Sequence, residues 1–237
     1  MTTPQQRYIF FGAILLVLAI LGWQGWVFFE KGRESKMVGE ELDPFSGLTI
    51  PEKYLADTAT KKVIEDKIAA TKVMYAEKPK IWETWIAIGN LRALLEDYKG
   101  AIRAYEQSIA LQPNNILGYR NIAEIYNQHL KDYKRTAEYY KLALENEFNN
   151  AELYTALAFV YYKQLGNNEE AEKIYIEGLR RTSFDSSILT ALIQFYKDTG
   201  NTEKYIENVR LLIERNPDNT FYRDTYGKAL RAIGVTL

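Results

Sequence analysis

Apolar positions past residue 81 fall in short runs at helical spacing, and the runs themselves recur. Between Trp82 and Asn115 the first run holds Trp85, Ile88, Leu91 and Leu95, and the second holds Ala101, Ile102, Tyr105 and Ile109. Three-to-four spacing of this kind predicts amphipathic helices, each with one buried face. The polar stretch Asp97-Tyr98-Lys99-Gly100 separates the two. The pattern returns in residues 116–150, 151–185 and 186–219, so the step is 34 or 35 residues. Trp85 aligns with Tyr119 and Tyr154; Gly89 with Ala123 and Ala158; Tyr105 with Tyr140 and Tyr175. Tyr126, Tyr161 and Tyr196 share a further station, held by Arg92 in the first copy. An aromatic residue that returns at a fixed offset fills the same packing site in each unit. The second and third copies carry one extra residue, most easily placed in the turn between their helices. A fixed period in this range predicts a solenoid of stacked units, and three or more units are needed to bury a continuous core.

The first copy resembles a tetratricopeptide repeat. The resemblance rests on Trp85, Ile88-Gly89, Ala101, Tyr105, Ser108 and Pro113-Asn114, and it extends over the four tandem copies. Departures are Arg92, Phe148 and Ser183 in place of proline, and Tyr205 where alanine is usual. The resemblance implies an all-α fold, a right-handed tetratricopeptide-repeat superhelix (an α-solenoid). Residues 220–237 read as a C-terminal capping helix, with Phe221, Tyr226, Gly227 and Leu230 inward. Arg223, Asp224, Lys228 and Arg231 supply its polar outer side. Residues 51–81 read as an N-terminal capping helix, in the place of a second helix, that packs Ile64, Ile68 and Tyr75 on Trp82, Trp85 and Ile86. Pro51 suits its first turn.

Ahead of the repeats, residues 8–29 run for 22 positions without a charge. As a helix they would cover about 33 Å, enough for a hydrocarbon core of roughly 30 Å. No cleavage site follows, and Trp23, Trp26, Phe28 and Phe29 crowd one end. The expectation is one retained transmembrane helix, a signal anchor, after a short tail (1–7) and before a flexible tether (30–50). The chain then reads as a single-pass protein of the cell membrane. Flanking charge leaves the side of the repeats open between cytoplasmic and extracytoplasmic, with a slight lean to the latter.

Composition narrows the chemistry. The net charge is −1, with Lys and Arg interleaved among Asp and Glu, so the basic face that nucleic acid requires is missing. There is no cysteine and one histidine, His129, near a helix end. No phosphate-binding glycine loop and no metal-ligand spacing occurs, so the expectation is no enzyme, no cofactor, no metal and no small-molecule substrate.

The resemblance does imply a binding surface. First helices of such arrays line the concave side, where one stripe is turned away from the core. The candidate partner-binding groove holds Ile86 and Asn90 from the first copy, and Arg120, Glu124 and Asn127 from the second. The third copy adds Thr155, Phe159 and Tyr162, and the fourth Gln194 and Lys197. Some members of the family grip a C-terminal carboxylate with Lys, Asn and Arg. Here Asn90 and Arg120 stand beside Ile86 and Glu124, so that full clamp is not formed. Phe159 and Tyr162 in a polar surround have the character of binding hot spots. The expected function is a membrane-anchored scaffold or adaptor for a protein or peptide partner, itself membrane-associated, in assembly or quality control of membrane or envelope complexes. The alternative is a permanent structural subunit of a larger membrane complex.

Overall fold

The computed structural model describes residues 43–236. The chain divides into two compact units, Met1–Ser46 and Gly47–Leu237. Of the first, only 43–46 are described, a turn closed by the Ser46 N–H on the Asp43 carbonyl at 3.0 Å. The second unit opens with a 3₁₀ turn, Glu52–Tyr54, and continues as ten α-helices, with no strand among the described residues. They are α1 (Thr58–Glu77), α2 (Trp82–Leu94), α3 (Tyr98–Leu111), α4 (Ile116–Ile125) and α5 (Tyr133–Asn146). Then come α6 (Ala151–Phe159), α7 (Asn168–Arg181), α8 (Ser186–Asp198), α9 (Thr202–Arg215) and α10 (Thr220–Ala232).

The helices start where they do because short polar side chains occupy the free N–H groups of each first turn. Nine of the ten are capped by Asp or Asn: Asp57, Asp97, Asn115, Asp132, Asn150, Asn167, Asp185, Asn201 and Asn219. Only α2 lacks a side-chain cap; Ile81 precedes it. The Asn pairs that close the first two copies therefore have a definite use, since the second Asn caps the next helix, as Asp185 and Asn219 do after the third and fourth. Pro51 precedes the 3₁₀ turn rather than opening α1, and α1 starts seven residues later behind Asp57.

Each helix packs on the one before and the one after, so α2/α3, α4/α5, α6/α7 and α8/α9 form hairpins that stack in chain order. The core is a chain of small-against-aromatic contacts. A Cβ built on Gly89 would lie 2.3 Å from Tyr105 Cε1, and one on Gly178 would lie 2.7 Å from Tyr154 Cγ. Tyr105, Tyr140 and Tyr175 are all buried, as are Tyr126, Tyr154 and Tyr196. The station of Trp85, Tyr119 and Tyr154 has a second role. Each side chain donates to the carbonyl six residues earlier: Trp85 Nε1 to Pro79 at 2.8 Å, Tyr119 to Pro113 at 3.1 Å, and Tyr154 to Phe148 at 3.0 Å. Arg223 makes the same reach to Pro217. This hydrogen bond ties α2, α4, α6 and α10 to the loops that deliver them; α8 has Leu189 at the station and no such bond.

Arg92, at the station of the other copies' tyrosines, is buried against Asp97, the cap of α3. A guanidinium with a carboxylate partner fills the aromatic slot. At the start of the unit, Ile64 is buried and Tyr75 meets Trp85 edge-on, with ring centroids 5.8 Å apart.

The extra residue of copies two and three does not enter the connecting turn. It is taken up within the helix, where α4 runs into a π-helical turn, Tyr126–Leu130, and α6 into another, Val160–Gln164. The Leu165 N–H bonds the Val160 carbonyl five residues back at 3.0 Å. The turns themselves are uniform. Glu96, Lys131, Gly166 and Gly200 all adopt positive φ, and the second helix begins two residues after each.

One expectation is corrected here. Among the described residues, no helix is long and apolar enough to cross a membrane. The longest, α1, carries Lys61, Lys62, Glu65, Asp66, Lys67, Lys72 and Glu77 along its 20 residues, and charge at that density is incompatible with hydrocarbon. The localisation as a single-pass cell-membrane protein is therefore not carried forward. The segments at 1–7 and 8–29, and the tether as far as residue 42, lie outside the described residues.

The shared left-handed position gives a paired prediction. Gly166 has φ +65° and nothing within 4 Å of a built Cβ, so Gly166→Ala meets backbone strain alone and should cost about 1 kcal/mol. Lys131 has φ 55° at the same place, and Lys131→Gly should gain up to about 1 kcal/mol. Urea denaturation of the two variants should show midpoints moving in opposite directions.

Candidate functional site along the first helices

The first helices α2, α4, α6, α8 and α10 lie in a row, and polar side chains bridge the first three neighbouring pairs. Between α2 and α4, the Asn121 amide donates to Asn90 Oδ1 at 3.5 Å. Between α4 and α6, Arg120 pairs with Glu152 at 3.5 Å. From the π turn after α6, the Tyr162 hydroxyl donates to Asp198 Oδ2 of α8 at 2.9 Å, and Lys163 pairs with the same oxygen at 3.0 Å. Between α8 and α10 the link is apolar: Tyr222, Tyr226 and Leu230 share the core cluster of Leu189, Leu192 and Ile193. The π turn has a visible effect here. It carries Tyr162 onto Phe195, edge to face at 5.1 Å, and sets Lys163 on Asp198. The Lys163 ammonium and the Tyr162 hydroxyl hold the Asp198 carboxyl below its usual range.

Second-helix tyrosines support this row from behind. The Tyr105 hydroxyl donates to Asn90 Oδ1 at 2.7 Å, and the Tyr140 hydroxyl to Glu124 Oε1 at 2.5 Å. The equivalent Tyr175 stands at the station whose first-helix neighbour is Phe159, and Phe159 is 46% exposed. Burial pushes the Tyr105 and Tyr175 hydroxyls up to about 12. Burial and then the Glu124 bond push Tyr140 up further.

The ten groove residues thus have distinct situations. Asn90 and Glu124 are engaged by tyrosine hydroxyls, and Glu124 also accepts from Gln128 at 2.6 Å. Ile86 is half-buried against the core of the first units. Arg120 is spent partly on Glu152, and the Thr155 hydroxyl donates to the Ala151 carbonyl at 2.9 Å. Asn127 is half-buried, Gln194 donates to Asp198 Oδ1 at 2.6 Å, and Lys197 is exposed. Tyr162 is bound into the next unit, whereas Phe159 keeps its ring in solvent. Sequence reasoning missed Asn121, Lys163 and Asp198. It also placed Lys228 and Arg231 on a cap, although they occupy the stations of Gln194 and Lys197. The repeat offset carried to α10 would have found the last two. Among the described residues no group of three or more His, Cys, Asp or Glu is placed to hold a metal ion.

Two family models, both described as tetratricopeptide repeat, match residues 82–115 and 151–183. These segments are tetratricopeptide repeats. The repeat-bearing unit is also similar to solved structures of the same fold. A crystal structure of MamA aligns with TM-score 0.54 and 16% identity over 69% of this chain and 95% of that one. MamA 41-end from Desulfovibrio magneticus RS-1 aligns with TM-score 0.50 and 16% identity over 66% of this chain and 87% of that one. At this identity the likeness concerns the fold alone. No curated relative matches the sequence.

The buried tyrosines predict alkaline sensitivity with a definite sign. Unfolded tyrosine ionises near pH 10, whereas Tyr105 and Tyr175 stay protonated in the fold up to about 12. Their contribution is complete below pH 10 and is lost as pH rises from 10 to 12, on the order of 2 kcal/mol for each ring. Denaturant titrations at pH 9 and pH 11 should show the loss. Tyr105→Phe, which removes one titrating group, should be less stable at pH 9 and lose less between the two.

Proposed function

We propose that the repeat array is a scaffold that binds a protein or peptide partner along the groove of its first helices. The observation that carries this reading is the bridged row from Asn90 to Asp198, with the Phe159 ring exposed within it. Solenoids present extended surfaces because each unit adds the same face to the one before. Side chains tied by cross-unit hydrogen bonds lose little further freedom when a partner docks, which favours binding. An exposed aromatic residue amid polar groups supplies the desolvated contact from which binding energy chiefly comes.

A permanent structural role is the second reading, and one observation favours it. Leu142 and Ile176, on second helices, are 36% and 51% exposed beside the charged side chains of that face. The same two helices carry Glu138 and Lys173 exposed and Glu177 half-exposed, so the groove reading is preferred.

The test is site-specific photo-crosslinking in the source cell, with the probe at Phe159, at Lys197 or at Lys173 on α7. The groove reading expects the same partner from 159 and 197 and none from 173. Phe159→Asp should leave helical circular dichroism unchanged, because the ring is already half in solvent, and should reduce crosslinking from 197 at least tenfold. Undiminished crosslinking in that variant, or equal yield from 173, sinks the reading.

A further inference from the structure

The row of first helices is electrically lopsided. Its first half carries Glu83, Glu124 and Glu152, with Arg120 paired to Glu152. Its second half carries Lys197, Lys228 and Arg231, all exposed, with Asp224 nearby. Lys163 and Asp198 neutralise one another at 3.0 Å. None of Lys197, Lys228 and Arg231 has an ion-pair partner among the described residues. The end toward α2 is therefore acidic and the end toward α10 basic, although the whole chain is close to neutral.

The basic half is also where aromatic surface is exposed. Phe159 is 46% and Phe221 65% exposed. Phe221 stands at the station of Glu83, Glu152 and Ser187 in the earlier copies, and Lys228 at that of Phe159 and Gln194. α10 packs on α9, shares the core cluster of Leu189, Leu192 and Ile193 through Tyr222, Tyr226 and Leu230, and repeats the first-helix reach at Arg223, so the stripe of the four copies continues onto α10.

We propose that the basic half of the groove, from Phe159 to Arg231, receives an acidic segment that also carries aromatic or aliphatic side chains. This rests on the groove reading above and names the partner's chemistry. Carboxylates of the segment meet Lys197, Lys228 and Arg231, and its apolar side chains lie on Phe159 and Phe221. Exposed ion pairs contribute little each, so the rings supply the holding energy while the cations steer the encounter and select the sign of the partner. The carboxylates are side chains within the segment. The groove has no set of residues arranged to grip a chain end, so a free C-terminus is not needed.

Fluorescence anisotropy with the purified full chain tests this. The probe is a labelled 15-residue peptide of alternating Glu and Phe or Leu, amidated at its C-terminus. The comparison peptide has Lys in place of every Glu. The acidic peptide should bind at least tenfold more tightly, and its affinity should fall severalfold between 50 and 500 mM salt. The double variant Lys197→Glu with Lys228→Glu should reverse the preference while leaving circular dichroism unchanged, since both side chains are exposed. Equal binding of the two peptides, with both lost in Phe159→Asp, overturns the charge inference and leaves the groove standing. So does a preference that survives the double variant, or one that requires a free C-terminal carboxylate. Absence of binding by either peptide also overturns it, and the crosslinks from 159 then judge the groove independently.

Discussion

No helix pair in this protein can bury both of its faces, and that single shortage organises everything else. Each hairpin covers the apolar side of its neighbour and leaves its own far side to be covered in turn. The contact works because small residues meet rings: Gly89 against Tyr105, Gly178 against Tyr154. Glycine within a helix costs about 1 kcal/mol relative to alanine. At these places it is retained because a Cβ would collide with a buried ring. Dispersion over such closely fitted surfaces is the main cohesive term, and it weakens quickly when a gap opens.

The polar groups follow from that packing. Once tyrosines are buried between helices, their hydroxyls need acceptors, and they find them on the facing helices. Tyr105 finds Asn90, and Tyr140 finds Glu124. Tyr196 finds Glu172, which Lys204 also holds. Groove and core are thus linked: residues facing a partner on one side steady the core's aromatic rings on the other. Asn90 and Glu124 read from sequence as surface positions, and they carry this internal duty as well.

Much of the fold was legible because each station repeats. The recurrence of Tyr105, Tyr140 and Tyr175 gave their burial without any structure. The Asn pairs were equally visible, although their role as helix caps follows only when the boundary between copies is set one residue from the helix start. Less was legible where the chain breaks its own period. The extra residue of copies two and three leaves no composition signal that separates a longer turn from a π turn. The uniform left-handed residue before each second helix shows that the turn is the conserved part and the helix the adaptable one. The repeat offset set the stations of the groove candidates on the first helices and the turns that follow them. The partners of those side chains, such as Asp198 for Tyr162, depend on which way a π turn aims them, and periodicity carries no such information.

Cohesion confined to adjacent units has a kinetic corollary. Side chains that touch are rarely more than one period apart along the chain, so mean loop closure is short and folding should be rapid for a protein of this length. No region holds a privileged nucleus, and growth can start in any hairpin and spread both ways. The same property allows the ends of the array to fray while the middle persists, so partial opening is graded along the chain rather than shared by all of it.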